Sequence, residues 1–236
     1  MSRQTARIKY HFRGEQALAA AGSGAGNPWV KADTSSAGSP TVGGLAGGGL
    51  RMILASTTEV ENLCVYHGDV LSFDIDDIIS AEFAVKTVAT LDSATSIAFG
   101  LCSARNDDPD SLAAHASFRL IGSNSVLVET DDGTNDNDDV ATGLTLGTGW
   151  KRFKIDFASR NTTIEPPSVS KGRKSNIEFY GSNDNGSLRR VASGTRFDMS
   201  NYSSGLQPYF QLQKTSDNNT DNLDLLYCII EVGLPV

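Results

Sequence analysis

From Leu50 onward the chain breaks into short apolar runs separated by turn residues. The runs are LRMILA (50–55), LCVY (63–66), VLSFDI (70–75), SAEFAVKTV (80–88), SIAFGLC (96–102), SFRLIG (117–122) and VLVET (126–130). They continue with KRFKIDF (151–157), NIEFYG (176–181), LRRVA (188–192), YFQLQ (209–213) and LDLLYCIIEV (223–232). In KRFKIDF, Phe153, Ile155 and Phe157 alternate with Arg152, Lys154 and Asp156. That period of two marks a strand with one buried and one solvated face. Phe83 and Val85 oppose Glu82 and Lys86 in the same way. LDLLYCII carries apolar residues on both faces, which predicts a strand in the middle of a sheet, covered on both sides and suited to a subunit contact. Runs of this length, punctuated by Asp-Gly, Asn-Gly and Gly-Ser, predict an all-β antiparallel sandwich rather than a helical fold.

Before Leu50 the pattern dissolves. Residues 1–27 end in AAAGSGAG and predict an N-terminal arm outside a sandwich domain spanning 28–236. Ser35–Gly49 contains SSAGSP and GGLAGGG, where so many glycines cost too much backbone entropy for a regular element, and predicts a surface loop.

Composition narrows the function classes. The 236 residues are 39% hydrophobic and 20% charged, enough apolar material for a single β-sandwich core. The formal net charge of −8 argues against a general nucleic-acid binder, because phosphate binding rests on Lys and Arg releasing counterions. No apolar stretch is long enough for a membrane-spanning helix. The N-terminus lacks the apolar core of a secretory signal, which predicts synthesis and folding in a cytoplasm. Cys64, Cys102 and Cys228 each lie in an apolar run, without C-x-x-C spacing, and read as buried free thiols.

The densest polar stretch is TDDGTNDNDD (130–139). Asp131, Asp132, Asp136 and Asp138, with Asp139, Asn135 and Asn137 beside them, offer oxygen ligands of the kind calcium takes. The spacing is not that of an EF-hand, and the competing reading is a solvated acidic hairpin loop. RNDDPD (105–110) predicts a tight turn leading into a short helical turn through SLAAHA, and TSDNNTDNLD (215–224) a polar turn. For glycoside hydrolysis the alternating acids Glu59/Glu61 and Asp74/Asp76 are candidates, but neither pair has a further acid or flanking aromatics nearby. His11, His67 and His115 are scattered, no G-x-S-x-G occurs, and GGLAGGG lacks the Lys-Ser/Thr of a phosphate loop. A non-enzymatic role is therefore expected. Basic residues collect at KGRK (171–174) and Arg189–Arg190, flanking NIEFYG, where they would charge a sheet edge.

Six phrases between Val70 and Val232 are more specific than composition alone: GDVLSFDIDDIISAEFAVK, ATLDSATSIAFGLCSARNDDPDS, VLVETDDGTNDNDDVATG, WKRFKIDF, TRFDMSNY and LQPYFQLQKTSDNNTD. Through them the chain resembles a family of tailed-phage and prophage virion proteins with a concanavalin-like, jelly-roll β-sandwich. The insertion IEPPSVSKGRKS lengthens the segment between the W-K-R-F and F-D-M phrases. The resemblance implies a capsid decoration or cement protein, a homotrimer that binds the major capsid protein on the virion surface, made in the host cytoplasm. It carries no catalytic or metal residues. The alternative on the same fold is a carbohydrate-binding module of a tail or capsid fibre. For that, Trp150, Tyr180, Tyr202 and Tyr209 would have to gather on one face with Asp and Asn to bind a glycan.

Overall fold

In a computed structural model, residues 5–12, 19–20, 28–157, 174–183 and 186–233 are described. They form two sheets packed face to face, with no α-helix among the described residues. Sheet A has the order β15-β14-β13-β8-β17-β5-β4, with β1 also paired to β17. Its strands are β1 (Thr5–His11), β4 (Thr41–Gly44), β5 (Leu50–Ile53), β8 (Ile78–Thr87), β13 (Lys151–Asp156), β14 (Glu178–Gly181), β15 (Arg189–Val191) and β17 (Asn222–Gly233). Sheet B has the order β12-β11-β10-β9-β16-β6-β3-β2, with β7 on the end of β16. It comprises β2 (Ala19–Ala20), β3 (Val30–Asp33), β6 (Glu61–Tyr66), β7 (Phe73–Asp74), β9 (Thr95–Cys102), β10 (His115–Ile121), β11 (Ser125–Asp131), β12 (Asp136–Thr145) and β16 (Gly205–Lys214). The ladders are antiparallel except for the short β2–β3 contact.

Alternation produces the core. Phe83 and Val85 of β8 and Phe153 and Ile155 of β13 face Phe99, Phe118 and Phe210 of sheet B, all fully buried. Phe99 stacks on Phe118 with ring centroids 5.2 Å apart, and Phe83 meets Phe210 edge-on at 5.7 Å. Such offset and edge contacts suit the aromatic quadrupole. All three cysteines are free and buried, and burial raises each thiol pKa.

Four sequence expectations need correction. First, residues 5–12 do not lie outside the sandwich. Thr5–His11 pairs along β17 from Gly233 to Tyr227, and Phe12 packs on Trp29 and Phe210 in the core. Second, Ser35–Gly49 is not all loop, since Thr41–Gly44 pairs with β5. Third, RNDDPD does lead into a helical turn, but it is a 3-10 turn confined to Pro109–Ser111 and capped by Asp108; His115 and Ala116 already belong to β10. Fourth, Lys174 is buried rather than on a basic edge: its Nζ donates to Tyr202 O at 2.6 Å and pairs with Asp76 at 2.8 Å. Residues 171–173 lie outside the described residues. Strand β12, with the acids of the 130–139 stretch, was not expected as a strand at all.

β17 sits mid-sheet, between β8 on one side and β5 and β1 on the other. Its apolar character on both faces has a local cause. The ladder slips between Leu225 and Tyr227. Leu223 and Leu225 face the core before the slip and Cys228 and Ile230 after it, so the alternation changes phase within one strand.

Candidate functional site

Because side chains alternate, each residue that faces outward from sheet B sits between two core residues. Cys64, Tyr66, Ala98, Cys102 and Tyr209 form a second apolar cluster on this outer face, completed by Val30 and Leu112. Leu112 comes from the segment joining β9 to β10, which folds back across the sheet as a roof. Main-chain carbonyls of the roof take up the polar groups beneath it. Tyr209 Oη lies within hydrogen-bond reach of Asn106 O (2.9 Å) and Gln211 Oε1. Gln211 Nε2 and Asn62 Nδ2 both donate to Asp107 O at 2.8 Å. The roof is pinned at its start by Asp69, whose Oδ1 accepts from Arg105 N and Gln207 Nε2. Tyr209 is consequently only 1% exposed.

Beyond the roof, β10, β11 and β12 assemble a charged cluster. Arg119 reaches Glu129 Oε1 at 2.7 Å and also bonds Asp110 of the 3-10 turn. His115 Nε2 stands 3.6 Å from Glu129 Oε2. Burial alone would raise the Glu129 pKa. The polar neighbours His115 and Asp139, with the Arg119 hydrogen bond and charge, outweigh it and hold the carboxyl at about 2. Asp139 moves the other way. Burial, its hydrogen bond to Glu129 and the Glu129 charge push it up to about 6. Asp139 also holds φ at 49°, the left-handed region, beside a register shift in the β11–β12 ladder. Proximity of the two carboxyls pushes their pKa values apart, so that Asp139 takes up a proton at a higher pH than Glu129 does.

The four residues named as calcium candidates do not act together. The Asp132 carboxylate accepts from the backbone N–H of Thr134, Asn135 and Asn201 and from Asn135 Nδ2, so it ties the hairpin to the 197–202 segment. Asp131 accepts from Gly133 N. Asp136 and Asp138 face each other on exposed strand β12, and after burial their mutual hydrogen bond and repulsion raise the Asp136 pKa. Among the described residues, no group of three or more His, Cys, Asp or Glu could hold a metal ion.

The other sequence candidates also separate. Glu61 is fully buried, accepting from Ala55 N and Thr57 Oγ1 near Lys214, whereas Glu59 is exposed. Asp74 caps its own turn by accepting from Asp76 N. Of the aromatics, Trp150 packs under Lys86 Nζ at 4.8 Å, and Tyr180 lies on the outer face of sheet A with its hydroxyl on Glu178. Tyr202 packs on the core and donates to Gly205 O, and Tyr209 is under the roof. His67 is buried among Tyr10, Trp29 and Phe73, where burial lowers its pKa to about 4 despite its bond to Leu71 O.

Sequence reading missed the Glu129–Asp139 pair. The available signal was Glu129 outward on VLVET, but its partners depend on the slipped register of an unrecognised strand.

No family model matches the sequence, and no curated protein matches it. The fold has clear counterparts. The β-glucanase of Bacillus licheniformis superposes with a TM-score of 0.58 at 12% identity over 97% of this chain and 98% of its own. Lectin II from Ulex europaeus gives 0.58 at 12% identity over 99% and 100%. A protein of unknown function from Shewanella oneidensis MR-1 gives 0.57 at 9% identity over 99% and 88%. The chain is a concanavalin-like jelly-roll sandwich. At these identities the likeness concerns the fold, which hosts both sugar-binding and sugar-cleaving proteins.

Proposed function

We propose that this chain is a tailed-phage virion structural protein, a decoration or cement protein that docks on the outer capsid surface and stabilises the shell without catalysing a reaction. The observation that carries this reading is the closed middle of the outer face of sheet B: the chain's own 103–114 segment covers Asn62, Tyr209 and Gln211, whose amides and hydroxyl bond that segment or one another. A cleft enzyme needs that space open.

The phage-like phrases support the reading through positions that build the sandwich. WKRFKIDF supplies Phe153, Ile155 and Phe157, TRFDMSNY supplies Phe197 and Met199, and LQPYFQLQKTSDNNTD supplies Phe210 and Leu212, all in the core. The partners under this proposal are the major capsid protein and two further copies of the chain, on the virion surface. The carbohydrate-binding alternative needs an aromatic platform, and four aromatics on separate parts of the molecule count against it.

The test mixes purified protein with capsids that lack it and, in parallel, with a glycan array. Saturable capsid binding that raises the shell's thermal stability is expected. Glycan binding without capsid binding would replace this reading with the lectin one, and light scattering of the free protein checks the trimer.

A further inference from the structure

Sheet A carries a gap that neither the docking role nor the core requires. Along one side of β17 the neighbour changes from β5, which ends at Leu50 opposite Leu225, to β1, which ends at His11 opposite Tyr227. β17 bulges at the change, and Phe12 N bonds Leu226 O at 3.1 Å to turn β1 inward. The opposite wall is a tight turn closed by Gly48 N on Leu45 O and Leu45 N on Gly49 O, both 2.9 Å. Gly47, Gly48 and Gly49 all hold positive φ, at 88°, 98° and 122°. A side chain at Gly49 would meet Leu225 O at 2.9 Å, whereas at Gly47 and Gly48 it would project into open space. The cavity left between these walls measures about 560 Å³, within the usual range of small-ligand sites.

The lining has a definite chemistry. Phe12, Leu226 and the Tyr227 ring give apolar walls, Lys9 and His11 stand at the rim, and no acid lines the cavity among the described residues. Lys9 Nζ sits 5.9 Å over the Tyr227 ring rather than on a carboxylate. Two acids of this face are engaged elsewhere, Glu82 with Arg152 and the Tyr227 hydroxyl and Asp224 with Arg51 and Lys86, and Glu231, opposite Arg7 on β17, does not line the cavity. On a chain of net charge −8, a cavity lined by a lysine and, among the described residues, by no acid attracts anions. Among the described residues the lining offers one lysine and no arginine, which match a single point charge rather than the forked recognition that a phosphate dianion favours.

We propose that this seam binds a small organic carboxylate borne on a ring, with the carboxylate at Lys9 and the ring against Tyr227. Sugar acids and aromatic acids share this chemistry. The full chain is titrated with glucuronate and with benzoate, and with glucose and benzamide as their uncharged counterparts, following backbone amide shifts. Saturable shifts confined to residues 9–12, 47–48 and 226–227 are expected for at least one acid, and the preferred acid identifies the source. Lys9→Met should weaken binding about tenfold, as for loss of one charge contact, while Lys31→Met on sheet B leaves it unchanged. Absence of saturation by either acid, equal binding of the uncharged compounds, or undiminished binding by Lys9→Met would each overturn the proposal. Capsid binding is scored separately, so failure here does not touch the docking role.

Discussion

The outer faces of the two sheets both carry charged pairs, yet they hold them on opposite principles. On sheet A most charges sit at the solvent boundary and answer one another across or along strands, Arg152 with Glu82, Lys154 with Asp156 and Arg190 with Glu178, with Asp224 buried as the exception. On sheet B the amides lie beneath the chain's own roof, and at its margin, where Asp110 of the roof reaches Arg119, Arg119 and Glu129 have side chains only 8% and 2% exposed. Ion pairs in water contribute little, because solvent and salt screen them and the side chains lose entropy. At the roof's margin each charge depends on its partner, since an unpaired buried charge keeps its full desolvation penalty. The same residue types therefore make a tolerant surface on one side and a fixed internal network on the other.

Breaking an ion pair on each face exposes this contrast most sharply. Arg119→Met strands Glu129 and should cost about 3–5 kcal/mol, read as a shift in the urea midpoint. A loss below about 1 kcal/mol would mean that the roof admits water freely. Opening the roof comes next. Leu112→Ala removes its apolar anchor and should cost about 2–3 kcal/mol, and Cys64 and Cys102 should then react faster with a thiol reagent while Cys228, in the main core, does not.

The raised Asp139 pKa gives a smaller, pH-dependent effect. The folded-state Asp139 pKa, about 6, lies above its ordinary value, so the folded chain retains a proton that the unfolded chain has already released. The stability this contributes is complete below about pH 4 and is lost as pH rises through about 6. Asp139→Asn should remove that part of the pH dependence of the melting temperature. A variant whose profile parallels the parent across this window would show that folding does not raise the Asp139 pKa. The smallest effect belongs to sheet A. Arg190→Met, which leaves Glu178 with the Tyr180 hydroxyl at the solvent boundary, should change stability by less than about 1 kcal/mol, and added salt should shrink it further.

Much of this contrast was legible in the chain and some was not. KRFKIDF and SAEFAVKTV announced themselves because one strict alternation runs through each, and both became strands with the expected inward phenylalanines, while SIAFGLC, read as a strand, also became one. VLSFDI shrank to Phe73–Asp74, leaving Val70 83% exposed on a turn with Gly68 and Asp69 at positive φ. β1 and β12 were missed for opposite reasons. TARIKYH alternates but sits next to a glycine- and alanine-rich tract that read as linker. DNDDVATGLT carries its acids on the open side of an edge strand, where solvent tolerates them and no apolar period survives.

What the sequence determined by itself was local: which residues alternate, where turns interrupt them, and that their sum is a sandwich with buried thiols. Partnership across the fold belonged to the tertiary structure. Glu129 meets Asp139 through a slipped ladder, Asn62 meets Asp107 across 45 residues, and Lys9 faces a cavity walled by Gly47 and Gly48. Strand pairing sets these distances, and burial then decides which charges are held and which are free. Alternation is a property of neighbours along the chain, whereas a pKa, a roof or a pocket is a property of neighbours in space.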